Sequence, residues 1–129
     1  MPTKRKEIEQ WSRRYYVLKL YVDLCFKFYF KSTIEGLENI PKDKPIILAP
    51  NHQNALMDAL AVLCTKTWQP VFVARADIFK NPLISKILTF LKILPIFRIR
   101  DGYENLQKND DVFNKTVDVI NNRNGLVIL

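Results

Sequence analysis

From Pro45 onward, short apolar runs bounded by prolines alternate with helical patterns, and this alternation limits the fold more than any other feature of the chain. Ile46–Ala49 sits between Pro45 and Pro50, and Val71–Ala74 follows Pro70. Both are too short for helices and read as buried strands. Between them, Asn54 stands as the N-cap of a predicted helix, Ala55–Lys66, with Leu56, Leu60 and Leu63 at helical spacing. Asn81-Pro82 repeats the start signal for a second amphipathic helix, Leu83–Leu94, which Pro95 is expected to stop. Ile96–Ile99 then predicts a strand, Asn105 or Asp110 begins a helix running to about Asn122, and Gly125 precedes a last strand, Leu126–Leu129. Strands alternating with helices specify the α/β class, with a mostly parallel sheet covered by helices. The sequence stops inside an apolar strand, so residues 32–129 read as the N-terminal part of an α/β domain that is cut within its sheet.

Residues 1–31 form a different region. Tyr15–Phe30 is apolar except for Lys19, Asp23 and Lys27. Three charged side chains at a bilayer centre would cost roughly 3 kcal/mol each, about 8–10 kcal/mol together, against a return of at most about 4–8 from the apolar residues. Spanning a membrane is therefore not favoured. The three charges recur every four residues, so they form one stripe of a helix, expected to face water or lipid headgroups. Trp11, Tyr15, Tyr16, Tyr21, Phe26, Phe28, Tyr29 and Phe30 occupy the other faces, as in a helix lying in a membrane interface, although a core helix reads similarly. Lys4, Arg5 and Lys6 are followed by Glu7 and Glu9 instead of an apolar stretch, so no secretory signal is read and the protein is expected to stay inside the cell.

The net charge of +7 is uneven: residues 1–31 and 75–100 each carry +5, while 32–74 carry −1 and 101–129 carry −2. Two basic segments around a near-neutral middle suit a phosphate-bearing partner, whether anionic membrane, small phosphorylated substrate or nucleic acid. No recognised nucleic-acid motif is present, and the aromatics cluster with aliphatics, so no nucleic-acid partner is expected. Cys25 and Cys64 lie in apolar runs without a CxxC or a neighbouring His, which reads as two free thiols acting as small core hydrophobes and no metal site.

The single histidine, His52, follows the first predicted strand in Ala49-Pro50-Asn51-His52, and Asp58 lies in the first turns of the next helix. Carboxyl ends of strands in open α/β sheets are where ligands bind. With Asn54 capping, His52 stays in the loop, near enough for the Asp58 carboxylate to accept from one ring nitrogen. The other nitrogen is then free to take a proton from a hydroxyl. No GxSxG elbow accompanies the pair, and Ser12, Ser32 and Ser85 have no supporting motif, so direct attack by a substrate hydroxyl is favoured over a covalent enzyme intermediate.

The run Pro45-Ile46-Ile47-Leu48-Ala49-Pro50-Asn51-His52-Gln53, ending at Asp58, resembles the first block of the glycerolipid acyltransferases of the lysophosphatidate acyltransferase type. Five residues separate His52 from Asp58 where the usual spacing is four, a variant associated with a subset that includes glycerol-3-phosphate acyltransferases. Val71-Phe72-Val73-Ala74-Arg75 is similar to the strand that follows, and Leu94-Pro95-Ile96-Phe97-Arg98 to the second block, whose Arg helps hold the acceptor's phosphate. Gly125–Leu129 resembles the strand leading into a third block, Phe-Pro-Glu-Gly, which the sequence does not contain.

The resemblance implies a phospholipid-synthesis enzyme moving a fatty acyl group from acyl-CoA or acyl-carrier protein to the hydroxyl of lysophosphatidate, or alternatively of glycerol 3-phosphate. In that reading His52 is the base, Asp58 orients it, Arg98 and secondarily Arg100 bind phosphate, and Asn51 and Gln53 support the loop. It implies no metal or bound cofactor, and an association with the cytoplasmic face of a membrane. Residues 1–129 alone are expected to be inactive. The rival reading is a non-catalytic module that sits on an anionic membrane surface, with His52 structural.

Overall fold

The computed structural model describes residues 8–65, 68–122 and 124–128. Helix α1 spans Arg13–Tyr29, β1 Ile46–Leu48, α2 Ala55–Leu63, β2 Val71–Arg75, α3 Pro82–Phe90, β3 Ile93–Ile96, α4 Tyr103–Leu106, α5 Lys108–Asn121 and β4 Gly125–Ile128. The expected ends of the helix at Lys66 and of the last strand at Leu129, like the basic run Lys4–Lys6, lie outside the described residues.

The four strands form one sheet, parallel as the alternation predicts, in the order β1-β4-β2-β3. Ile46 pairs with Gly125, Val71 with Leu126, and Phe72 with Ile93. The inner strands carry the apolar core. Val71 and Val127 are fully buried, and α5 lays Val112 and Val119 over the sheet. Burying each such side chain contributes roughly 1.5–3 kcal/mol. At the start of β4, a Cβ on Gly125 would stand 2.3 Å from a ring carbon of Trp68, so only glycine lets the indole pack against this strand.

One strand is displaced from its expected place. Ile96–Ile99 is not the strand; β3 is Ile93–Ile96 and contains Pro95, while Ile99–Asp101 forms a 3-10 turn. Helix α3 ends early because Lys92 takes a left-handed conformation, φ 60°, which reverses the chain and starts β3 at once. Pro95 is tolerated there because, among the described residues, β3 is an edge strand that pairs with β2 alone. The cap at Asn81 forms as expected, its side chain accepting from the Leu83 N–H at 2.9 Å.

Helix α1 departs from expectation in the direction of its charged stripe. Lys19 does not face solvent or headgroups: it is 3% exposed, and its Nζ bonds both Asp23 oxygens, at 3.0 and 2.7 Å. The pair turns inward because the helix docks through its Tyr15–Lys19 side, while Lys27, the third charge of the stripe, stays exposed as expected. Tyr15 meets Phe90 of α3 edge-on, with centroids 6.4 Å apart, and the Cys64 thiol beyond α2 is pushed up to about 11 by burial and then by Asp23. A lysine can be buried when a carboxylate satisfies it within one turn. Trp11, Val17, Tyr21, Leu24, Phe28 and Tyr29 are consequently exposed, and so is Cys25, which is not the core residue expected. The start of α1 is tied to the domain by a reciprocal pair, Ser12 N–H to Gln69 Oε1 and Gln69 Nε2 to Ser12 C=O, each 2.9 Å. Among the described residues, no helix is long and apolar enough to cross a membrane.

Candidate active site

The parallel sheet brings the carboxyl ends of all its strands to one edge, so the loops after β1, β2 and β3 share one side of the molecule. His52 lies in the loop after β1 and is 40% exposed, open to a substrate. Its Nδ1 stands 3.3 Å from Asp58 Oδ2. The same Asp58 oxygen accepts the backbone N–H groups of Gln53 and Asn54, each at 2.7 Å.

This arrangement corrects the expected cap. Asn54 makes no side-chain capping bond, and the carboxylate of Asp58 reaches back over the loop to take the amides that precede α2. Those N–H groups would otherwise be unsatisfied at the helix start. Asp58 thus closes the loop on itself and fixes His52 beside it. Its carboxyl is held below the ordinary carboxylate range, chiefly by the Asn54 N–H, with help from Gln53 and His52 and against partial burial. An ionised Asp58 at Nδ1 favours the tautomer with the proton on that nitrogen, which leaves Nε2 as the acceptor. Gln53 contributes through its backbone; the side chains of Asn51 and Gln53 are exposed.

Arg98 lies just beyond β3, at the other edge of the sheet, about 14 Å from β1 at three strand spacings. Its guanidinium leans back over β2: Nη2 is 3.9 Å from Asp77 Oδ2, in the turn after β2, and Nε is 3.5 Å from Asp101 Oδ2. Asn109 of α5 fixes the strand end by bonding both backbone groups of Phe97, at 2.9 and 2.8 Å. Asp101 accepts the Arg98 backbone N–H at 2.8 Å. Arg100 is exposed, with no ion-pair partner among the described residues.

The sequence reading missed Arg75, Asp77, Asp101 and Asn109. Arg75 forks Asp77, Nε to Oδ1 at 3.2 Å and Nη2 to Oδ2, and the pairing holds the Asp77 carboxyl below its usual range. Charged residues at a strand end, two apart, are a weak signal, and Asn109 looks in sequence like any polar helix residue. Among the described residues, no group of three or more His, Cys, Asp or Glu is placed to hold a metal ion.

The loop after β1 is therefore a histidine–carboxylate pair that can take a proton from a hydroxyl, and the edge beyond β2 and β3 is a cation that can take an oxyanion. Known proteins are similar to this chain in sequence. A chloroplastic 1-acyl-sn-glycerol-3-phosphate acyltransferase of Arabidopsis thaliana is 28% identical over 86 residues, which cover 66% of this chain and 24% of that protein. A chloroplastic enzyme of the same name from Brassica napus is 26% identical over the same shares of each chain. The aligned part thus spans about a quarter of the length of these relatives. No solved structure matches the chain. The sequence model of the Acyltransferase family matches residues 31–129, from the end of the N-terminal helix through the last strand, and this chain belongs to that family.

Proposed function

We propose that the protein moves a fatty acyl group from a thioester donor, acyl-CoA or acyl-carrier protein, to the free hydroxyl of lysophosphatidate, with glycerol 3-phosphate as the alternative acceptor. The observation that carries this reading is the His52–Asp58 contact of 3.3 Å at the carboxyl end of β1, the end of the parallel sheet at which Arg98 also lies, beyond β3. His52 Nε2 takes the acceptor's hydroxyl proton as its oxygen attacks the thioester carbonyl. The new C–O bond forms, the C–S bond breaks, and the proton returns from His52 to the departing thiolate. Asp58 holds the imidazole and stabilises its charged form. Arg98 binds the acceptor's phosphate, with Arg100 as a second cation near it. Every group in this scheme is a side chain or a substrate, so it asks for no metal or bound cofactor.

The exposed apolar face of α1, flanked by exposed Arg13, Arg14 and Lys27, supports docking on an anionic membrane surface, from which a lipid acceptor would enter. The resemblance of the His52 block favours an enzyme over a purely membrane-binding module. Incubating the intact protein with radiolabelled acyl-CoA, or acyl-carrier protein, and either acceptor tests the reading. Labelled phosphatidate is expected from lysophosphatidate. Vesicle binding without transfer to either acceptor would leave the membrane module as the better reading.

A further inference from the structure

Arg98 is surrounded by carboxylates, yet none takes a well-formed hydrogen bond from its guanidinium. Asp101 Oδ2 already accepts the Arg98 backbone N–H at 2.8 Å and leaves Nε at 3.5 Å. Asp77 is forked by Arg75 through both of its oxygens and leaves Arg98 Nη2 at 3.9 Å. Arg98 Nε is buried without a hydrogen-bond partner. A buried guanidinium nitrogen with no partner is costly, and its planar fork matches an oxyanion.

We propose that Arg75 is a positioning residue whose task is to occupy Asp77, so that the Asp77 carboxylate does not consume the donors that Arg98 offers to phosphate. The inference rests on the acyl-transfer reading only for the identity of the phosphate's owner. Its logic is charge compensation. Released from Arg75, the Asp77 carboxylate, already 3.9 Å away, would close on Arg98 and compete with the incoming anion. Arg75, at the end of β2 and at the same end of the sheet as Arg98, acts in this scheme through Asp77. Its Nε and Nη2 are engaged by Asp77.

The test titrates the intact protein with inorganic phosphate and with glycerol 3-phosphate by calorimetry, in wild type, Arg75→Gln, Asp77→Asn and the double variant. Arg75→Gln is expected to weaken both anions about fivefold, the scale of a surface ion pair. Asp77→Asn should bind as tightly as wild type or tighter, and adding it to Arg75→Gln should restore binding. A double variant as weak as Arg75→Gln would overturn the proposal in favour of direct contact by Arg75. Weaker binding in Asp77→Asn alone would overturn it too, and this variant decides the matter if Arg75→Gln does not fold. Wild type that binds neither anion also sinks it. In acyl transfer, the acceptor KM should follow the same order while the donor KM stays fixed, a split that a merely structural role would not produce. Phosphate binding without any acyl transfer would refute the reaction and leave the role of Arg75 standing.

Discussion

His52 and Asp58 meet within a single loop and the first turns of one helix, whereas Arg98 is held by groups from the turn after β2, its own 3-10 turn and α5. The first cluster closes through backbone amides of adjacent residues, the second through side chains brought together by the sheet. A locally closed site keeps its geometry as long as the loop can form. An assembled site depends on strand order and on the length of α3, and its charges are shared among several partners.

Four substitutions press on that difference. The largest effect is expected from His52→Ala, which should lower kcat for acyl transfer by about 10²–10⁴, the usual worth of a general base, with circular dichroism unchanged. Retained turnover would end the base role. Next, Asp58→Asn should loosen the Gln53 and Asn54 amides and lower kcat by about 10-fold to 100-fold. Because the folded Asp58 carboxyl titrates below its unfolded value near 4, its stabilisation of the loop is full above that value and is lost as pH falls through the lower folded one. Hydrogen exchange at the two amides should show that acid limb in wild type, and its persistence in Asp58→Asn would remove Asp58 as the cause.

Arg98→Ala should act mainly on binding, raising the acceptor KM by about 10-fold or somewhat more, the worth of a charge-assisted hydrogen bond. An unchanged acceptor KM in steady-state kinetics would take the phosphate away from Arg98. Asn109→Ala is expected to have the smallest effect on the reaction, a rise of about two- to threefold in acceptor KM. It should also cost about 1–2 kcal/mol of stability through the two bonds to Phe97, read as a fall in Tm of roughly 5–10 °C. Equal sensitivity of kcat to Asn109→Ala and Asp58→Asn would erase the contrast between the two clusters.

Much of the fold was legible because prolines and caps mark the boundaries of strongly apolar runs. Pro45, Pro70 and Asn81 stand where strands and a helix begin, and the family block around His52 sits on the loop after β1. The misplaced β3 shows the limit. A proline inside a strand is forbidden or allowed according to whether that strand is an edge, and nothing between Leu91 and Arg100 says which neighbours β3 will have. The Lys19–Asp23 part of the α1 stripe was misplaced for a similar reason: spacing shows that the two share a face, and only packing of α1 against Phe90 and Cys64 decides that this part of the face is inside.

By itself, then, the sequence determined the α/β alternation, the helix at the N-terminus, and the pairing of His52 with Asp58, since these depend on residues a few positions apart, where chain stiffness and hydrogen bonding act directly. The tertiary structure alone decided that β4 inserts between β1 and β2, that α1 turns Lys19 and Asp23 inward, and that Asp77 and Asn109 reach the end of β3. Those outcomes rest on contacts between residues far apart in the chain, whose energies exist only once the sheet has ordered its strands.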